Sequence, residues 1–180
     1  MTGDLDITLA LAAASDLPAF QNALQQAFTE AAAEYGIDGD DGPIPSDADV
    51  QQAFQSPGAA VYHLLLDGAR VGGAVLHIDS RTHRNSLALF YIASDHRGRG
   101  LGLAAWNAIE ARYPQTAVWE LGTPAFERRN LHFYVNKCGF HIVEFFNERH
   151  ADPHAPAADL RQGPAVEDEG FFRLEKVMSR

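Results

Sequence analysis

The chain has 180 residues, enough for one domain with a real core, and its 46% apolar and 21% charged residues are ordinary globular usage. Fourteen Lys and Arg against 24 Asp and Glu give a formal charge of −10, which disfavours nucleic acid and anionic membranes as partners and suits a cationic or small-molecule one. A single cysteine, Cys138, excludes an internal disulfide; the acidic start lacks the positive region of a secretory signal, and no apolar run approaches the ~20 residues that span a bilayer, so a soluble cytoplasmic protein is expected.

In chain order, residues 5–11 (LDITLAL) predict a first strand. Ser15-Asp16 offers an N-cap with Pro18 in the first turn. Leu17, Phe20, Leu24, Ala27, Phe28, Ala31 and Tyr35 then recur at helical spacing until Gly36 closes the helix. An acidic Gly/Pro loop (37–47) leads into a second short helix over 46–55. Three strand-like runs follow, 59–66, 70–79 and 86–94, with turns at Asp67-Gly68 and Arg81–Asn85, so an antiparallel meander is predicted. A glycine-rich segment feeds a helix carrying Leu101, Ala105 and Ile109, ended by Tyr113-Pro114. The spacing then predicts a strand over 116–121, a helix near 127–138 closed by Gly139, a strand over 140–148, a Pro/acidic loop (151–169) and a last strand over 171–178. No repeat or linker demands a second domain, so residues 1–180 read as one mixed α/β domain.

The segment Arg97-Gly98-Arg99-Gly100-Leu101-Gly102 concentrates backbone N–H groups and positive charge at the mouth of a helix. Such a loop binds anions through its amides and the helix dipole, and Arg97 and Arg99 can add charge-assisted bonds. A solvated glycine turn is the plain alternative. A Walker A loop fails because no lysine follows the glycines. A dinucleotide fingerprint does fit Gly100, Gly102 and Ala105, with Glu120 in the place of a ribose-binding acid, but an antiparallel meander precedes it and too little chain follows.

A third pattern, Arg/Gln-x-x-Gly-x-Gly/Ala, is met by Arg97, Gly100 and Gly102. It resembles the acetyl-CoA loop of the GNAT (Gcn5-related) N-acetyltransferase family. Asn130-Leu-His-Phe-Tyr134 with Gly139-Phe140 resembles that family's second block, and the order of elements agrees from first strand to last. The resemblance covers roughly residues 59–148 and the closing strand. It implies the GNAT fold, a central, mostly antiparallel sheet of about seven strands with helices on both faces. It also implies acetyl-CoA as co-substrate and transfer of acetyl to a primary amine by direct attack through a tetrahedral intermediate.

By motif position the resemblance gives the coenzyme A pyrophosphate to Arg97, Gly98, Arg99, Gly100, Leu101 and Gly102. It gives the pantetheine arm to the backbone of Tyr91, Ile92 and Ala93, with Asn130 nearby, and makes Tyr134 the general acid facing the sulfur. A phenol of pKa ~10 stays protonated at pH 7 and can donate to a departing thiolate of pKa ~8.5. A covalent route through Cys138 is conceivable, but a cysteine there packs more readily as a small hydrophobe.

The amine must also lose a proton, and freeing it from an ammonium of pKa ~10.4 costs ~4.6 kcal/mol at pH 7. Many family members use a glutamate on the strand before the glycine loop, and LALFYIAS has none. Glu120 is the leading candidate, with His132 and His77 as relay members. Acidic residues cluster at Glu30, Glu34, Asp38, Asp40, Asp41, Asp47 and Asp49 and again at Glu167, Asp168 and Glu169; in the resembled fold both regions border the acceptor cleft and would steer a small cationic amine, unless they are only a solubilising surface. His150-Ala-Asp152-Pro-His154 is too weak a pattern for a metal, and none is expected. A homodimer is common in the family. Two other functions remain open: a non-catalytic acyl-CoA sensor on the same fold, and a nicotinamide-binding oxidoreductase built on Gly100, Gly102 and Glu120.

Overall fold

A computed structural model of the protein describes residues 5–37, 42–153 and 170–179. Two compact units divide the chain, residues 1–116 and 117–180. Seven strands lie among the described residues, and every pairing within a unit is antiparallel. With the helices, this gives the expected mixed α/β class. No helix among the described residues is long and apolar enough to cross a membrane.

The first unit holds β1 (Ile7–Leu11), α1 (Leu17–Ala33), α2 (Asp47–Gln55), β2 (Ala59–Leu66), β3 (Ala69–His77), β4 (Arg84–Ile92) and α3 (Leu101–Arg112). Its strands lie in the order β1-β2-β3-β4. The predicted apolar stripe of α1 delivers Phe20, Leu24 and Ala27 to a core that also takes Val50 from α2, Val75 from β3 and Tyr91 from β4. Because strand side chains alternate, neighbours on β2 face opposite ways. His63 meets the ring of Phe20 in α1, while Tyr62 meets Tyr113 just past α3, their hydroxyls 2.7 Å apart. Helices therefore cover both faces of this sheet.

Register passes from Val75↔Leu89 to Leu76↔Leu87, so Ala88 is an extra residue in β4. Such a bulge turns two successive side chains to one side. Ala88 and Leu89 accordingly both pack on the α1 core. Beyond the bulge, Tyr91 lies opposite Gly73, and its ring meets Phe20 edge-on at 5.7 Å.

Asp16 departs from its predicted capping role. Its carboxylate accepts from His63 Nε2 and lies 3.3 Å from Arg70 Nη2, so α1 begins without a side-chain cap. Ser46 does cap α2: its hydroxyl accepts from the Asp49 amide, and Asp49 reaches back to the Ser46 amide.

The second unit holds β5 (Val118–Pro124), α4 (Arg128–His132), β6 (His141–Phe146) and β7 (Phe171–Val177), in the order β5-β7-β6. β5 starts later than predicted because Thr116 closes a turn on the Tyr113 carbonyl, and it runs on to Pro124, which still pairs with Phe171. The predicted helix over 127–138 is regular only through His132. Residues 133–137 widen into a π turn, in which the Cys138 amide bonds the Phe133 carbonyl five residues back.

A Cβ added at Gly73 would lie 2.4 Å from Phe20 Cε2 and 2.6 Å from Tyr91 Cε1. Gly73→Ala is therefore expected to destabilise the protein by about 1–3 kcal/mol, the range of an overpacked core. Equilibrium denaturant unfolding measures this.

Candidate functional site

Geometry at the mouth of α3 starts from two backbone angles. Gly98 has φ +76° and Gly100 φ +77°, both left-handed, a conformation that L side chains rarely adopt. Gly100 is the N-cap of α3 and has no side chain to offer, so no side chain caps the helix. The first-turn N–H groups of Leu101, Gly102 and Leu103 are thus left for an external acceptor, at the positive end of the helix dipole. Arg99 is exposed and makes no ion pair among the described residues.

Arg97 behaves differently. Its Nη2 donates to the Ala27 carbonyl of α1 at 2.6 Å, its Nε to the Ile92 carbonyl of β4 at 3.4 Å, and its Nη1 lies 3.7 Å from Glu34 Oε1. Behind it, the Ala93 amide bonds the Val71 carbonyl of β3. By the alternation of an antiparallel ladder, the N–H and C=O of Ile92 then face away from β3. Of Tyr91, Ile92 and Ala93, it is Ile92 that turns both backbone groups outward. Tyr91 is a core ring, and burial raises its phenol to about 12.

β3 and β4 are antiparallel, so an antiparallel meander precedes the glycines, as the sequence predicts, whereas a dinucleotide fingerprint normally sits in a first βαβ unit.

In the second unit, Tyr134 sits in the π turn and is only 8% exposed. Its ring is edge-on to Phe133 at 5.1 Å and to Phe140 at 5.9 Å, and its carbonyl accepts from the Phe140 amide. The hydroxyl makes no hydrogen bond to a described residue. Burial, first, and then the neighbouring Cys138 and Glu127 push its phenol well above the ordinary value. It is a proton donor held in its protonated form. Asn130 donates its amide to Glu127 Oε2, which fixes its orientation from one turn away.

Glu120 lies on β5 beside Arg173 of β7, Nη1 to Oε1 3.9 Å. The same guanidinium donates to Glu175 at 2.6 Å and to Glu144 at 3.4 Å, and Glu144 also takes His150 Nε2 at 3.0 Å. His77 donates from Nε2 to the Ala53 carbonyl at 2.9 Å and so ties β3 to α2. His132 is exposed and pairs with Asn136.

Of the acidic residues read as a steering surface, the described ones have partners of their own. Glu30 binds Gln26 and Ser94, Glu34 faces Arg97, Asp47 accepts from Gln21 and Gln25, and Asp49 completes the α2 cap. Asp38, Asp40, Asp41, Glu167, Asp168, Glu169 and His154 lie outside the described residues.

Nothing local announces the partners Ala27 and Glu34 of Arg97, or Arg173 of Glu120, because each lies far away in sequence. Glu127 beside Asn130, Asn136 beside His132 and Gln26 beside Glu30 are partners that helical spacing could have found.

The profile of the acetyltransferase (GNAT) family matches residues 19–140, a stretch that enters both units. YrkN, an uncharacterized protein of Bacillus subtilis (strain 168), is 54% identical over 175 residues, covering 97% of this chain and 95% of that protein. Among solved structures, a GNAT family acetyltransferase from Elizabethkingia anophelis with acetyl-CoA bound aligns with a TM-score of 0.67 at 16% identity, over 96% of this chain and 99% of that one. Spermidine N-acetyltransferase from Vibrio cholerae, in complex with CoA and spermine, aligns at 0.65 and 13% identity, over 96% and 95%. At such identities these structures carry the fold alone.

Alkaline titration tests the setting of Tyr134. Replacing it by Phe is expected to leave the phenolate absorbance change near the ordinary value of ~10 untouched and to remove a component well above it. Loss of a component at or below that value would show the phenol to be solvated.

Proposed function

The chain belongs to the acetyltransferase (GNAT) family, and from that premise we propose that residues 1–180 act as one domain that moves the acetyl group of acetyl-CoA onto a primary amine, a small cationic one. The observation that carries the reading is the uncapped mouth of α3 behind Gly98 and Gly100, with Arg99 free of ion pairs among the described residues. In this reading the amides of Gly98 through Gly102 receive the pyrophosphate and Arg99 adds its charge. The outward backbone of Ile92 takes the pantetheine amides, with Tyr91 and Ala93 holding β4 in register, and the family resemblance assigns Asn130 to the same arm. Acetyl-CoA as the bound species is supported by the E. anophelis neighbour, and a cationic amine by neighbours bound to spermine and to ribostamycin. The charge of −10 favours the same class.

The neutral amine attacks the thioester carbonyl, the C–N bond forms, and a tetrahedral oxyanion with an ammonium nitrogen results. Collapse breaks the C–S bond and releases the thiolate of CoA. Tyr134 donates to that sulfur. Because its phenol is held above the ordinary value, full proton transfer is uphill, and its contribution is a hydrogen bond that strengthens as charge grows on sulfur. The ammonium of the intermediate is far more acidic than the free amine, so a weak base suffices for its proton. Glu120, 3.9 Å from Arg173, is the acceptor we assign, with His132, His77 or solvent carrying the proton onward. A cytoplasmic site of action fits the need for acetyl-CoA and the free thiol of Cys138.

One observation favours a second reading. β4 carries no carboxylate, as a non-catalytic acyl-CoA sensor would allow.

Tyr134→Phe decides between the two. For an enzyme, kcat with a polyamine or aminoglycoside falls about 100-fold or more, the lower end of what a lost general acid costs, while acetyl-CoA affinity stays within about threefold. Binding of acetyl-CoA by the unmodified protein without turnover on a polyamine, an aminoglycoside or an N-terminal peptide amine would favour the sensor.

A further inference from the structure

We infer that Arg97 is a positioning residue, which fastens the cofactor loop to α1 through its side chain and does not itself meet phosphate. The inference rests on the acetyl-CoA reading above and assigns Arg97 and Arg99, two residues apart, opposite tasks.

A guanidinium presents its N–H donors in one rigid plane. In Arg97 all three nitrogens are turned inward: Nε to the Ile92 carbonyl at 3.4 Å, Nη2 to the Ala27 carbonyl at 2.6 Å and Nη1 towards the Glu34 carboxylate at 3.7 Å. To reach an anion at the mouth of α3, the side chain would have to abandon a charge-assisted bond to a carbonyl within α1, next to the buried Ala27.

Ser94, three residues upstream, opens the short 3₁₀ turn that leads into the loop, and its hydroxyl, first, and Gln26 lower the carboxyl of Glu30, one turn along α1 from Ala27. The C-terminal half of α1 therefore grips the loop at Arg97, immediately before Gly98. From there to Gly100 the left-handed glycines impose little restraint of their own. An anchor at their entrance reduces the freedom that a ligand must remove, so its contribution to affinity is preorganisation, with no charge contact to the anion. It also makes α1 and the loop a single mechanical piece. What orders one is felt by the other.

Two variants separate anchor from contact, with acetyl-CoA as the probe at several salt concentrations. Arg99→Gln is expected to weaken binding about tenfold at low salt and to flatten the salt dependence, as loss of a charge facing the anion must. Arg97→Gln keeps donors for the carbonyls while losing the charge; it is expected to weaken binding only about two- to fivefold, with the unmodified protein's salt dependence retained. Equal flattening by Arg97→Gln and Arg99→Gln overturns the inference, since it would put the Arg97 charge on the phosphate.

A readout independent of the cofactor is amide exchange of the free protein. Arg97→Leu, or Arg97→Ala if the leucine variant does not fold, is expected to speed exchange at residues 27–34 and 98–103 together. Unchanged exchange at 27–34 overturns the anchor. Failure of the unmodified protein to bind acetyl-CoA, with the exchange result as expected, sinks the proposed function and leaves the anchor standing.

Discussion

Everything around the cofactor loop follows from a helix that begins without a cap. Leaving the first N–H groups of a helix unsatisfied has a cost, and most helices meet it with Ser, Thr, Asp or Asn. α3 has Gly100 there instead, in the left-handed region, with Gly98 in the same region two residues earlier. No side chain obstructs the approach of an anion to those amides, so the cost is recovered when a ligand binds. Stability is lower than a capped helix would give, and the amides stay open to the anion proposed above. The same unit compensates in its core, where Phe20, Leu24, Val50 and Val75 are almost wholly buried.

In the reaction proposed above, the second unit supplies a proton donor that does not ionise. Tyr134 meets that demand by burial: its ring sits between Phe133 and Phe140, and the charges that neighbour it are negative or potentially so. Departure from α-helical geometry at 133–137 belongs to the same construction, because the wide turn places the Tyr134 carbonyl where the Phe140 amide can bond it. Polarity of the sheet in this unit is organised around Arg173, whose guanidinium is shared by Glu175, Glu144 and Glu120.

Local patterns in the sequence were sufficient for most of the fold. Period-3.6 spacing located α1, and the turn chemistry at Asp67-Gly68 located the β2–β3 hairpin. The failures have two causes, partners distant in sequence and a helical period that a stripe does not resolve. Asp16 looks like a cap, yet its carboxylate is claimed by His63 and Arg70, 47 and 54 residues away. The helix over 127–138 has an unbroken apolar stripe, and a stripe does not distinguish a 3.6-residue turn from a wider one. At the site, the loop was legible because glycines with left-handed φ are a sequence signal, as was the block containing Tyr134. The direction of the Arg97 side chain was not, because it depends on Ala27, 70 residues earlier. The same holds for Glu120, whose partner arrives only when β7 pairs with β5.

The central claim is that the mouth of α3 holds the pyrophosphate of acetyl-CoA. Calorimetric titration of the purified protein with acetyl-CoA and, separately, with NADH addresses it directly. The account predicts saturable binding of acetyl-CoA that is weakened by Gly100→Glu, which sets a carboxylate against the anion, together with no comparable binding of NADH. Binding of NADH without acetyl-CoA, or acetyl-CoA affinity indifferent to Gly100→Glu, would contradict it.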